Sequence, residues 1–218
     1  MAELDPDRQL ALAYVPASRR AAIEALWRLD AALGAVLATG TEPMISGIRL
    51  AWWREALEKL DHAPAPAEPV LQALAMHVLP AGVTGAELAA MEQGWAAIVP
   101  GEALTAETLG IYAGARGGCL FALSARLLGE AGHPVIEAGK HWALIDLVRH
   151  SVDRSDRKAA HTAAGACSRS GKWPRRLRPL GMLAILARRD DEGGADRPEP
   201  FGAPMRILRM IRHRLTGY

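Results

Sequence analysis

A chain of 218 residues and 23.3 kDa is long enough to bury a core without disulfide or metal staples. Half of its residues are apolar and 23% are charged, which excludes a disordered chain. Two cysteines, Cys119 and Cys167, exclude a disulfide framework and a Cys/His metal cluster of the usual spacing.

The net charge of +2 hides an asymmetry. Residues 1–148 carry 10 basic and 17 acidic side chains, and residues 149–218 carry 16 and 7. A basic C-terminal third suits phosphate, anionic lipid or an acidic partner. The acidic start of the chain lacks the apolar run of a secretory signal and the arginines of a transit peptide. The longest stretch without Asp, Glu, Lys or Arg, residues 69–86, is broken by Pro80 and Gly82, so no transmembrane helix is expected. A cytoplasmic protein is the expectation, with the basic third leaving peripheral attachment to the inner membrane open.

Apolar spacing is helical almost throughout, and β-branched residues are sparse. The first predicted helix spans about 18–38, with Ser18 as N-cap and Ile23, Leu26, Trp27, Ala31, Leu33 and Leu37 at steps of three and four. After the loop Thr39-Gly40-Thr41, Pro43 opens a second helix to about 60, with Leu50, Trp53, Leu57 and Leu60 in one stripe. The Ala/Pro-rich stretch 63–69 is a stiff linker within the domain. A short helix follows at about 70–79.

Thr84 and Glu87 form a predicted capping box for a helix to about 98. Thr105 caps a helix over about 106–129 that contains Gly110, Gly114, Gly117 and Gly118. Each glycine inside a helix costs about 1 kcal/mol relative to Ala. Their clustering points to close approach by another helix or by a ligand. Pro134 opens a helix to about 152, and residues 153–172 read as loop. A helix over about 174–189, a charged Gly/Pro linker over 190–203 and a helix over about 204–216 complete the chain. The predicted organisation is one all-α bundle over 1–189, the linker, and a C-terminal amphipathic basic helix, 204–218, that docks on the same domain.

The segment from Pro43 to Leu57, with Trp52-Trp53 between Arg49 and Arg54, resembles the second-helix motif of the squalene/phytoene synthase family. Ala25-Leu26-Trp27-Arg28-Leu29 resembles its first-motif helix. Gly117-Gly118-Cys119-Leu120 with Leu127-Leu128-Gly129 resembles its Gly-rich middle helix, and Gly139 to Arg149 resembles the helix that bears its second metal motif. Together these cover roughly residues 5–155. The resemblance implies the isoprenoid synthase fold and head-to-head joining of two prenyl diphosphates.

That reaction releases pyrophosphate, whose charge Mg²⁺ neutralises from hard carboxylate oxygens. The family supplies them on two facing helices, with Asp at a four-residue step or in a DDxxD-type run. By alignment, Gly34, Ala35 and Ala38 occupy the first set of positions, with Asp30 one turn earlier. His150 and Arg154 occupy the second set, with Asp146 one turn earlier and Asp153 nearby. Gly and Ala cannot ligate a metal, and arginine repels one.

The closer resemblance is to the metal-motif-poor branch of the family, which includes proteins similar to the mitochondrial complex I assembly factor of the phytoene-synthase type. It implies a non-catalytic scaffold or assembly protein, without a cofactor, that serves a respiratory complex or holds a lipid or isoprenoid. The alternative is an active prenyl transferase using Asp30, Asp146 and Asp153 for Mg²⁺.

Arg49, Trp52, Trp53, Gly114, Gly117, Gly118 and Arg149 are candidate cavity or partner contacts, against the plainer readings of helix packing and solvated charge. Trp53 is assigned to the core and Trp52 to a helix contact. His141 and His150 read as ordinary histidines. Arg169, Lys172, Arg175, Arg176 and Arg178, with Trp173 among them, are candidate contacts to anionic lipid or an acidic partner. No nucleic-acid recognition fold accompanies them, so nucleic acid is not expected. In the last helix Ile207, Leu208, Ile211 and Leu215 share one arc and Arg206, Arg209, Arg212 and His213 the other. Such a helix lies on an anionic surface, or docks on the bundle with its arginines in water, and docking is preferred.

Overall fold

The structure, a computed structural model, describes residues 3–40, 42–101, 103–130, 134–167, 171–193 and 199–218. The described residues form helices and connections, with no strand among them. Short α1 (Pro6–Ala13) is opened by Asp5, whose side chain accepts the Arg8 amide, with Pro6 in the first turn.

The central helix is α2 (Ala17–Thr39). It buries Ile23, Leu26, Trp27, Leu29 and Leu33 on a wide arc, so it is surrounded rather than laid on a surface. Its N-cap is Pro16, with no side-chain bond, and the predicted cap Ser18 lies inside the first turn. The Trp27 indole donates to Ser124 Oγ at 3.1 Å and ties α2 to α7 (Cys119–Leu127).

Helix α3 (Pro43–Lys59) packs on α5 (Gly85–Ala96) and on α2, and α4 (Pro69–His77) lies against α2. Both halves of the Thr84/Glu87 capping box form at the start of α5. Trp53 is buried. Trp52 is not at a helix contact: it stands on the surface, edge-on to Trp53 at 5.3 Å, because α3 is covered on one side only.

The predicted 106–129 helix is three pieces. Thr105 caps α6 (Ala106–Tyr112), a π-helical turn spans Ala113–Gly118, and α7 follows. The π turn packs on α8 (Val135–His150), where Gly117 and Gly139 cross. A Cβ on Gly117 would fall 2.1 Å from the Gly139 carbonyl oxygen, so the backbones touch. Gly110 and Gly114 face open space, and Gly118 meets the Ile136 and Lys140 side chains and the Ala113 carbonyl. Gly117 and Gly118 therefore serve one helix crossing, Gly110 and Gly114 do not take part in it, and none of the four lines the cavity described below.

Residues 153–172 are not simply loop. Asp153 accepts the Ser155 and Asp156 amides and starts α9 (Arg154–Ala164). This helix buries only Ala160 and Ala164, a stripe too faint to read as helical periodicity. The predicted linker begins later than 190, since α10 (Arg178–Glu192) runs into it. Beyond it, α11 (Pro204–Thr216) packs on α10 and α1.

The arc of α11 that meets the bundle is the reverse of the one expected. Arg206, Met210 and His213 are buried, while Ile207, Leu208 and Leu215 are exposed. Arg206 is drawn inward by Asp7 and Asp190, at 2.8 and 2.6 Å. Burial, with Arg178 nearby, pushes the His213 imidazole down, so it is held neutral.

Candidate functional site

Between α2, the π turn and α8 lies a fully buried guanidinium. Arg116 projects from the π turn, whose five-residue hydrogen-bond step shifts it relative to a regular helix. Its Nε donates to Asp30 Oδ1 at 2.9 Å, and its Nη2 donates to Asp30 Oδ2 at 3.2 Å and pairs with Asp146 Oδ2 at 2.7 Å. Its Nη1 donates to the Tyr112 hydroxyl. The guanidinium carbon lies 4.1 Å from the Trp95 ring centre and 4.8 Å from that of Trp142, so aromatic faces enclose it.

Asp30 is wholly buried and saturated. Arg8 Nη2 donates to its Oδ2 at 2.8 Å, and the Trp95 indole donates to its Oδ1 at 3.1 Å. Arg8 also pairs with Asp5 at 3.1 Å and lies 4.9 Å from the Trp142 ring centre. His150 Nδ1 donates to the Asp146 carbonyl at 2.8 Å and stands 3.5 Å from its carboxylate.

These contacts set the protonation states. Burial alone would raise the Asp30 and Asp146 carboxyls, but the guanidiniums outweigh it: Arg116 and Arg8 hold Asp30 low, and Arg116 with His150 holds Asp146 low. Burial tends to lower Arg116, and Asp30, Tyr112 and Asp146 raise it well above its ordinary value. Burial also raises the Tyr112 phenol and the Asp5 carboxyl. The centre is therefore fixed as two carboxylates and a guanidinium across the neutral range. Burial pushes the Cys119 thiol up to about 11, which leaves it a protonated thiol rather than a nucleophile.

The cluster forms one end of a cavity of about 590 Å³. Leu37, Ala38, Ile98 and Leu147 make an apolar wall, and Arg8, Asp30, Arg116, Asp146 and His150 make the polar end. The size and the lining suit a small molecule with a long apolar part.

Of the first expected metal positions, Gly34 and Ala38 line this cavity and Ala35 does not. The Trp95 ring lies so close to Gly34 that a Cβ there would fall 2.8 Å from it, so the indole fills the space a side chain would need. Of the second set, Asp146 and His150 reach the cavity. Asp153 and Arg154 do not, because α8 ends at His150 and the chain turns into α9; both are exposed. The expected sharing of a face by Asp146 and Asp153 fails for this reason.

Two carboxylates thus converge, but both Asp30 oxygens and Asp146 Oδ2 are already bonded to Arg116, Arg8 and Trp95, and His150 stands 3.5 Å from Asp146 Oδ1. A divalent cation there would have to displace a buried guanidinium, so these residues do not fit Mg²⁺. Among the described residues no group of three or more His, Cys, Asp or Glu is placed to hold a metal.

The remaining candidates lie elsewhere. Arg49 and Trp52 are exposed on α3, Trp53 is in the core, Gly117 and Gly118 stay with the helix crossing, and Gly114 faces open space. Arg149 belongs to a second buried network: it donates to Asp190 at 2.9 Å and to the Glu199 carbonyl at 2.8 Å, over the Phe201 ring. His141 pairs with Asp191 at 3.1 Å. Lys172, Arg175 and Arg176 are exposed. Arg178 is not: it is buried and donates to the Arg214 and Leu215 carbonyls at 2.9 Å. Arg169 lies outside the described residues.

Sequence reasoning missed Arg116, Arg8, Trp95 and Tyr112. For Arg116 a signal existed, since it is the only charged residue between Glu107 and Arg126, and a lone charge in an apolar stretch needs a buried partner.

A family model, squalene/phytoene synthase, matches residues 1–164. No curated protein and no solved structure matches the chain.

Proposed function

Because the chain belongs to the squalene/phytoene synthase family, we propose that it is a member that has exchanged metal-dependent catalysis for a non-catalytic role, as a scaffold whose cavity holds an apolar lipid- or isoprenoid-like molecule. The observation that carries this reading is the Arg116 guanidinium between Asp30 and Asp146, with Nε and Nη2 at 2.9 and 2.7 Å from their oxygens. A fixed internal cation stands between the two facing helices. It cannot leave with a product, and it occupies both Asp30 oxygens and Asp146 Oδ2, which a shared metal would need.

The electrostatics of the cavity support the same reading. Glu3, Asp5, Asp30 and Asp146 line it with Arg8, Arg116 and His150, so the polar end carries no positive excess to draw a diphosphate. A neutral head beside an apolar wall fits that balance. Service to a respiratory complex, implied by the resemblance to the metal-motif-poor branch, is the form of scaffold role we favour.

The test is to incubate the pure protein with Mg²⁺ and farnesyl or geranylgeranyl diphosphate. No condensed product is expected, with or without EDTA. Product that disappears with EDTA would restore the prenyl transferase alternative. Lipid extraction of protein purified from its native cell, read by mass spectrometry, is expected to return a neutral isoprenoid or lipid at near-equal molar amount.

A further inference from the structure

The C-terminal helix presents its apolar side to water. On α11 Leu208 is 57% exposed and Leu215 73%, Met205 and Ile207 are also exposed, and Ile211 is half-buried. At about 100° per residue, Leu208, Ile211 and Leu215 fall within about 60° of one another. Arg212 and Arg214 stand at the two borders of this arc, and Arg209, farther round, pairs with Glu199 at 2.7 Å. A contiguous apolar face ringed by cations on a helix whose polar side is bonded inward marks an interaction surface.

The charge around it selects the occupant. Residues 204–218 contain four arginines and no acidic residue, and residues 157–189 also lack one. The basic segment 172–178 is held against the end of α11. Trp173 donates its amide to the Gly217 carbonyl at 2.9 Å, Arg178 binds the last-turn carbonyls, and Lys172 lies 5.4 Å from the Tyr218 ring centre. Exposed Arg175 and Arg176 follow on the same segment. Two copies of α11 packed face to face would bring these arginines together, so the charge disfavours self-association. An anionic lipid surface takes both features: acyl chains receive the leucines, and headgroup phosphates receive the border arginines.

We propose that the outward arc of α11, with the basic segment beside it, is a docking face for an anionic bilayer, lying in the interfacial plane. Thirteen residues span only about 20 Å as a helix, too short to cross the roughly 30 Å hydrocarbon core. No helix of the described residues is long and apolar enough to cross a membrane. This inference stands whether or not the cavity is catalytic.

The test is flotation of the full chain with phosphatidylcholine vesicles and with vesicles that also contain phosphatidylglycerol, at low and high salt. Binding to the anionic vesicles that weakens with salt is expected, with little binding to the neutral ones. The double variant Leu208→Ser/Leu215→Ser removes side chains already in water, so its melting temperature is expected to match that of the parent while its affinity falls about tenfold or more. A fluorophore on Leu208→Cys, in a Cys119→Ser/Cys167→Ser background, is expected to shift to the blue on anionic vesicles. Absence of flotation at low salt would overturn the proposal, as would unchanged binding by the double variant. So would a dimer that the double variant splits in a protein that ignores vesicles, which would assign the face to a second copy.

Discussion

Arg116 and Asp30 are joined twice, Nε to Oδ1 at 2.9 Å and Nη2 to Oδ2 at 3.2 Å, across 86 residues of sequence and with both side chains out of water. A two-point guanidinium–carboxylate pair is directional as well as strong, so it fixes the π turn against α2 as well as neutralising charge.

Breaking that pair is expected to be costly. Asp30→Asn keeps the shape but leaves Arg116 and Arg8 underpaired, and Arg116→Met strands Asp30 and Asp146. Each is predicted to lower stability by about 3–5 kcal/mol. The double variant is predicted to cost less than the sum, since the Asp30–Arg116 pair is lost only once, while Asp146 and Arg8 stay underpaired as in the single variants. Urea unfolding of the four proteins reads this directly.

Acid is expected to act through the same carboxyls. Asp30 and Asp146 have depressed folded values, so their contribution is complete above the ordinary carboxylate range and is lost as pH falls through the folded values. Stability measured from pH 7 downward is predicted to hold to about pH 5 and then decline. The gap between the parent and Asp30→Asn is predicted to narrow on that decline. Asp5 works in the opposite sense, because burial raises it, and it softens the slope.

Placing a carboxylate at Gly34 is expected not to create a metal site. Gly34→Asp sets a side chain against the Trp95 ring, where even a Cβ would lie 2.8 Å away, and is predicted to destabilise by about 1–3 kcal/mol. The clash comes from the six-membered part of the indole. Gly34→Ala is therefore predicted to be tolerated better in a Trp95→Phe background than in the parent, which thermal melts of the cycle will show.

The helix crossing gives a contrast within one short stretch. Gly139→Ala would place a Cβ 2.2 Å from the Gly117 carbonyl oxygen, and that backbone cannot yield without moving the π turn. A loss of more than about 3 kcal/mol is predicted. Gly110 faces open space on α6, and Gly110→Ala is predicted to gain about 0.5–1 kcal/mol from helix propensity.

Much of the fold was legible because local chemistry announced it. Thr84 with Glu87 and Thr105 marked helix starts by their own side-chain bonds, and Pro43 opened α3 as its fixed φ predicts. That Gly34 and Ala38 carry no ligating side chain was also visible, since a missing side chain needs no structure to be noticed. The buried cluster beside them was not. The partners of Arg116 lie 86 and 30 residues away, and the π turn that aims it leaves no periodic trace. In α11 the two arcs were read correctly but assigned to the wrong sides. Periodicity defines an arc, whereas the buried carboxylates Asp7 and Asp190 decide which one faces inward.

The most direct measurement is a crystal structure of the protein grown with Mg²⁺ and pyrophosphate. It is predicted to show the Arg116 guanidinium lodged between Asp30 and Asp146, with no metal bound to either carboxylate. Magnesium coordinated by Asp30 and Asp146, with Arg116 swung out of the cluster, would contradict the account.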